Sequence, residues 1–250
     1  ELIDEYSKDI PALEKKFRSI KILDPACGSG AFLIKSTEIL FEIFEKIQFV
    51  KENYGRYEAS RGLKAKSNFK GQLTFKKWDE KDEIKNIIEN NIYGVDINEE
   101  SVEITKLSLF LKIVRKNKKL INLSNNIKKG NSLVSNKEID ERAFDWNSNF
   151  PEIMNNGGFD IVVGNPPYVF TREVEFKDKF KEYIANNYLN AKDSVSKSHA
   201  RQSGKINLYS LFLIKSKDLL KNEGLISFII PNNLLRTTTY DIVRKQILDN

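Results

Sequence analysis

The sequence predicts an α/β fold, a mostly parallel sheet with helices on both faces, and three observations carry that expectation. Short apolar runs alternate with longer segments whose apolar residues recur at helical spacing, the pattern of strand–helix–strand units. Several of these runs, such as "FDIVVG" at 159–164, are nearly continuous in apolar residues, as strands buried on both faces are. They also end on glycine- or proline-rich turns.

Taken in order, "SIKILDPA" is a strand opening at about Ser19, followed by the turn "CGSG" and the helix "AFLIKSTEILFEIFEKI". Residues 50–80 are polar, basic and weakly periodic, and read as an insertion. "NNIYGVDIN" is the second strand. Its helix is "EESVEITKLSLFLKIVRK", acidic in the first turn and basic in the last as the macrodipole favours. "NIKKGNSL" supplies a short third strand, and "FDIVVG", after the glycine pair 157–158, a fourth. Residues 172–205 read as a basic loop that includes His199. "LYSLFLIKSKDLLKNEG" is a helix closed by Gly224, "LISFIIPNNLL" a fifth strand ended by Pro231, and 237–249 a last helix. The whole of residues 1–250 reads as one domain without internal repeats.

Composition narrows the class. At 40% hydrophobic content, 250 residues bury a sizeable core. Lys plus Arg at 41 against Asp plus Glu at 35 gives a net charge of +6, which modestly favours a polyanionic partner. One cysteine, Cys27, excludes an internal disulfide and suits a reducing, cytoplasmic setting. With one histidine besides, the usual zinc sites cannot be built, so no metal is expected. No apolar run reaches the roughly 18 residues that span a bilayer, and no membrane partner is expected.

Three motifs carry chemistry. In "DPACGSGAF", residues 24–32, Gly28 and Gly30 let the backbone turn tightly and let a ligand approach the main chain at a helix N-terminus. Asp24 at that turn would repel phosphates and suits a ligand bearing positive charge. The glycines are not followed by Lys-Ser or Lys-Thr, so this is no P-loop. Asp96 in "GVDIN" closes the second strand, placed to accept hydrogen bonds from ribose hydroxyls, with Ile97 beside it to cover an adenine face. "NPPY" at 165–168 follows the fourth strand at the same sheet edge. Its prolines have no N–H, leaving the Pro166 carbonyl and the Asn165 side-chain oxygen to accept from a substrate amino group, while Tyr168 can stack on a flat base. Each motif has a bland counterpart: a tight connection, a helix-capping aspartate, and a proline-rich turn.

In combination and order, these residues resemble the N6-adenine DNA methyltransferases, especially the methyltransferase region of large single-chain restriction-modification enzymes. The resemblance covers about residues 19–240. It implies a Rossmann-like class I methyltransferase fold, incomplete at both ends of this chain, and S-adenosylmethionine as cofactor. It implies cofactor contacts from Asp24, Ala26, Cys27, Gly28, Gly30 and Phe32, from Asp96 and Ile97, from Asn131 and Ser132 of "GNSL", and from Asn165. The same resemblance makes Asn165, Pro166, Pro167 and Tyr168 the catalytic motif, acting on an adenine flipped out of double-stranded DNA. Protein-glutamine methyltransferases also carry "NPPY", but their glycine loop lacks the "PAC" that follows Asp24 here. A protein or RNA methyltransferase and a non-catalytic DNA-binding relative remain the alternatives.

Departures from the family pattern set further expectations. Asn131 stands where many members have Asp, which makes its contact with the cofactor's adenine an uncharged one. A "YTP"-like motif is missing upstream of the first strand. A second base-stacking aromatic and a target recognition domain are expected beyond about residue 240 or on a partner polypeptide. The neighbouring features read otherwise. Cys27 reads as a small buried residue rather than a reactive thiol, and Lys64, Lys66, Lys70, Lys76 and Lys77 as a solvated face.

Overall fold

The computed structural model describes residues 9–60, 78–114, 122–171, 178–189 and 206–248. Helix α1 (Ile10–Ser19) is an element the sequence reading did not anticipate. Asp9 caps it by accepting from the Ala12 N–H at 3.0 Å, a proline sits in its first turn, and Ile10 and Phe17 are buried. It closes at Ile20, so β1 (Ile22–Asp24) starts later than Ser19.

Helix α2 (Ala31–Ser60) continues through residues 50–60, which were expected in the insertion. Residues 51–60 hold several straight-chain helix formers, and Lys51 pairs with Glu14 of α1 at 2.8 Å. The rest of the insertion, 61–77, lies outside the described residues, as do the five lysines named above. Helix α3 (Glu80–Asn91), also unanticipated, is capped by Asp79 and carries Glu80, Asp82 and Glu83 in its first turn. Then follow β2 (Ile92–Asp96), α4 (Glu99–Ile113), β3 (Ile127–Lys129), the short α5 (Trp146–Asn149) and α6 (Pro151–Asn155), and β4 (Phe159–Gly164), whose bounds match the sequence reading.

The expected loop at 172–205 is partly helical. Helix α7 (Asp178–Tyr188) buries Phe180, Ile184 and Tyr188, an apolar face at spacing four, while 172–177 and 190–205, with His199, lie outside the described residues. Helix α8 (Leu208–Leu219) ends five residues before Gly224, because the chain enters β5 (Leu220–Phe228) there. Gly224 follows Glu223, held at φ 64, and the pair lies in a register shift of β5 against β4, not at a helix cap. Beyond β5 come α9 (Asn233–Arg236), a 3-10 turn (Thr238–Tyr240) and α10 (Asp241–Leu248).

The sheet has order β3-β2-β1-β4-β5 and all its pairings are parallel. The chain builds outward from β1 to β3, then returns to place β4 on the other side of β1, so the order reverses between β1 and β4. In open parallel sheets that reversal opens a crevice at the carboxyl strand ends. Both faces are covered over the central strands, whereas one face of the edge strand β5 is open, with Leu225 64% exposed. Ile22, Ile92 and Ile127 pack with Phe17, Leu33 and Phe44 on one side. Leu23, Val95 and Phe159 pack with Trp146, Phe150 and Leu219 on the other. Each fully buried side chain of this size contributes about 1.5–3 kcal/mol relative to exposure.

At the opposite, amino edge of the sheet, two buried asparagines tie helix ends to strands. Asn91 Nδ2 donates to the Ile20 carbonyl at 2.7 Å. Asn126 Nδ2 donates to the carbonyls of Glu89 at 2.9 Å and Ile92 at 3.0 Å, occupying acceptors that the end of α3 leaves open. Asn126→Ala is expected to lower stability by about 1–3 kcal/mol, seen in urea unfolding as a lower midpoint at unchanged slope, because three carbonyls lose one shared donor far from the crevice.

Candidate active site

The glycine turn after β1 is built by contacts from β2 and from α4. Cys27 N–H donates to the Val95 carbonyl at 3.0 Å, and Gly30 N–H closes the turn on the Cys27 carbonyl at 2.8 Å. Gly28 and Gly30 have φ of 53° and 83°, and a Cβ on Gly30 would lie 2.8 Å from a Thr105 methyl. Thr105, on α4, in turn donates its hydroxyl to the Gly28 carbonyl at 2.8 Å. No sequence pattern marked Thr105 for this work.

Asp96 holds the other side of the turn. Its Oδ2 accepts from Gly28 N–H at 2.8 Å and its Oδ1 from Asn98 N–H at 2.9 Å. The cap of α4 is Asn98, whose side chain accepts from the N–H groups of Glu100 and Ser101. Asp96 is therefore not the helix-capping residue of the bland reading. Each carboxylate oxygen also keeps lone-pair capacity for a further donor.

The loop after β3 is tied to the same turn. Gly130 N–H donates to the Asp96 carbonyl at 2.9 Å, and Ser132 Oγ donates to the Pro25 carbonyl at 2.6 Å. The Asn131 amide is engaged within its own loop, its Oδ1 accepting from Leu133 N–H at 3.1 Å and its Nδ2 donating to Asp140 at 2.8 Å. Asp140 also binds Arg142, which holds its carboxyl below the usual range against the opposing effect of burial.

A cleft of about 300 Å³ opens over these loops, and Ala26, Asp96, Ile97, Asn131, Ser132 and Asn165 of the expected set all line it. Pro167 reaches it too. Asp24, Cys27, Gly28 and Gly30 lie outside that lining, in and under the turn, and Phe32 is half-buried on the first turn of α2. Phe180 of α7 and Leu208 and Phe212 of α8 complete the wall. Leu208 and Phe212 share a helical face, a signal the sequence offered, whereas Phe180 fell in a stretch read as loop.

Asp24 is 1% exposed, with Oδ1 accepting from Ala26 N–H at 3.0 Å. Burial raises its carboxyl to about 7, opposed by the Ala26 N–H and reinforced by the negative charge of Asp96. The Cys27 thiol is buried, and burial together with these two carboxylates pushes its ionisation far up, so it packs as a small apolar group. Asp96 thus lines the cleft and Asp24 lies buried beneath the turn, where a cationic ligand favours its ionised form.

On the far side of the reversal, Asn165–Tyr168 leaves β4 directly. Pro166 is buried, while Tyr168 is 46% exposed and meets Tyr209 edge-on, with ring centroids 6.1 Å apart. The following residues are fixed by the stretch before α8. Leu208 N–H donates to the Val169 carbonyl at 2.8 Å and Thr171 N–H to the Ile206 carbonyl at 2.9 Å. Tyr168 Oη lies within hydrogen-bond distance of the Asn165 side chain and of the Ile229 carbonyl, just beyond β5.

Comparison with known proteins places this geometry. Among curated proteins, the chain is 29% identical over 262 residues to the type II restriction enzyme and methyltransferase RM.Eco57I of Escherichia coli, covering 98% of this chain and 23% of that protein. It is 26% identical over 120 residues to the adenine-specific methyltransferase PglX of Lacticaseibacillus casei, covering 48% of this chain and 8% of the relative. The chain therefore spans a quarter or less of the length of these relatives. Its fold is similar to part of the restriction-modification enzyme MmeI, solved in complex with DNA, at a TM-score of 0.54 and 16% identity over 99% of this chain and 29% of MmeI. A nuclease-deletion mutant of the Type ISP restriction-modification enzyme LlaGI, with a DNA substrate mimic, also scores 0.54 at 15% identity, over 91% of this chain and 17% of the other. Residues 90–250, a span that begins at the end of α3 and includes the NPPY segment and α10, match the Eco57I restriction-modification methylase family over more than half of the chain, and the chain belongs to that family.

Proposed function

We propose that the protein transfers a methyl group from S-adenosylmethionine to the N6 amino group of adenine in double-stranded DNA, as the modification activity of a restriction-modification or related phage-defence system. One observation carries this reading: Asn165 and Pro167 of the NPPY motif line the same cleft as Asp96 and Ile97. The relative named as an adenine-specific methyltransferase and the fold neighbours solved with DNA support the choice of adenine and of DNA.

The residues of the crevice fit the cofactor. Asp96 lines the cleft, Asp24 lies buried beneath it with a carboxyl that a cation would help to ionise, the glycine turn carries no phosphate-binding lysine, and Ile97 is 39% exposed and free to cover a purine face. Bound there, S-adenosylmethionine supplies a methyl group already activated on a positive sulfonium. Asp96 takes the ribose hydroxyls, and the 130–132 loop bounds the purine. The target amine is a poor nucleophile because its lone pair is delocalised into the ring. Asn165 and the Pro166 carbonyl accept its two hydrogens and favour a pyramidal nitrogen, so the lone pair becomes available without a strong base. Tyr168 stacks on the base, which must be flipped out of the duplex at a cost of a few kcal/mol. Sequence recognition falls to a target recognition domain elsewhere in the same or a partner polypeptide, and the reducing cytoplasm is the setting in which Cys27 stays a thiol.

In the full-length protein, Asn165→Ala is expected to abolish transfer of labelled methyl to plasmid DNA while cofactor affinity stays within about tenfold. Retention of transfer, or equal loss of both, defeats the assigned role.

Asp24 sets a pH dependence. Its folded carboxyl holds a proton up to about 7, above the ordinary value of 3.8, so its contribution to stability is present at low pH and is lost as pH rises through 7. A cationic ligand favours the ionised form. Cofactor binding is therefore expected to release a proton and to tighten by up to about tenfold per pH unit as pH approaches 7 from below. Calorimetry across that range checks this, and Asp24→Asn should flatten the profile.

A further inference from the structure

Two acceptors crowd one hydroxyl in the catalytic motif. Tyr168 Oη lies 2.5 Å from Asn165 Oδ1 and 2.7 Å from the Ile229 carbonyl oxygen. A phenol has one proton, and a backbone carbonyl can only accept. If the proton went to Asn165, the Tyr168 and Ile229 oxygens would meet lone pair against lone pair. The two ends of an amide have nearly the same shape and are told apart by their hydrogen bonds. Turning the Asn165 amide end for end satisfies both contacts: its Nδ2–H donates to Tyr168 Oη, and the Tyr168 hydroxyl donates to Ile229.

The acceptor at the end of this chain is well fixed. Ile229 N–H donates to the Gly164 carbonyl at 3.1 Å, so the pairing of β5 with β4 carries the Ile229 carbonyl to its place beside Tyr168. In the turned amide, Asn165 Oδ1 faces away from Tyr168, on a residue that lines the cleft. The chemistry requires this sense. A target amino group offers two hydrogens, one of which an amide oxygen accepts. An amide NH₂ in the same place would set donor against donor and draw on the nitrogen lone pair that must attack.

We propose that the Tyr168 hydroxyl, anchored on the Ile229 carbonyl, sets the amide of Asn165 with its oxygen toward the target amino group, a positioning role separate from the stacking of the Tyr168 ring. The proposal rests on the reading of Asn165 as acceptor for the target amine. It makes the fourth residue of the motif do two jobs, one through its ring and one through its oxygen, and only the second depends on β5.

Tyr168→Phe in the full-length protein keeps the ring and removes the hydroxyl. With labelled S-adenosylmethionine and plasmid DNA, kcat is expected to fall about 10- to 100-fold, while the KM for DNA and the Kd for cofactor stay within about threefold. A kcat within about threefold of the parent overturns the proposal, as does a loss carried by KM. Asn165→Asp supplies a second arm, because a carboxylate accepts at both oxygens and has no wrong end. In that background the added Tyr168→Phe should cost less than about threefold, and an equal loss in both backgrounds overturns the proposal. The two readings fail separately. Transfer by Asn165→Ala would remove the acceptor role itself, whereas an inactive Asn165→Ala beside a fully active Tyr168→Phe removes the hydroxyl's role alone.

Discussion

The approach of Asp24 to Gly164 is the contact on which the crevice depends. These residues close β1 and β4, the two strands between which the sheet order reverses, and a Cβ on Gly164 would lie 2.7 Å from Asp24 Oδ1. Only a glycine leaves room for the carboxylate there. Because the two strands lie side by side in parallel register, the glycine turn after β1 and the NPPY segment after β4 emerge at one edge. A side chain at 164 would have to displace Asp24, and with it the Ala26 N–H that its carboxylate holds.

Several residues read as ligand contacts also hold the loops together. Asp96 anchors Gly28, Ser132 anchors Pro25, and the Asn131 amide is spent within its own loop. Such a constellation is rigid before any ligand arrives, which lowers the ordering cost of binding. It also means that replacing one of these side chains disturbs the turn as well as removing a contact. Thr105 belongs to the same scaffold from the α4 side, filling the space that Gly30 leaves and closing on the Gly28 carbonyl.

Charge divides the molecule by task. Asp24 is buried beneath the crevice and the half-buried Asp96 lines it, and the negative charge of Asp96 adds to the burial that raises the Asp24 carboxyl, so a cation is favoured there over a phosphate. The chain as a whole is positive, at +6, which suits the phosphates of a nucleic acid.

The sequence by itself determined the parallel α/β class, the bounds of β4, and the three motifs at the carboxyl strand ends, because apolar runs and glycine or proline turns are local signals. It did not reveal α1 or α3, whose caps Asp9 and Asp79 sit in polar surroundings that read as loop or insertion. It extended α8 to Gly224, because the shifted register that turns the chain at Glu223 is set by β4, a partner remote in sequence. The tertiary structure alone decided which polar side chains are already engaged, that Phe180, Leu208 and Phe212 wall the cleft, and that the Ile229 carbonyl stands beside Tyr168. Those are contacts between residues far apart along the chain, fixed by strand order and helix packing, and no local pattern of residues encodes them.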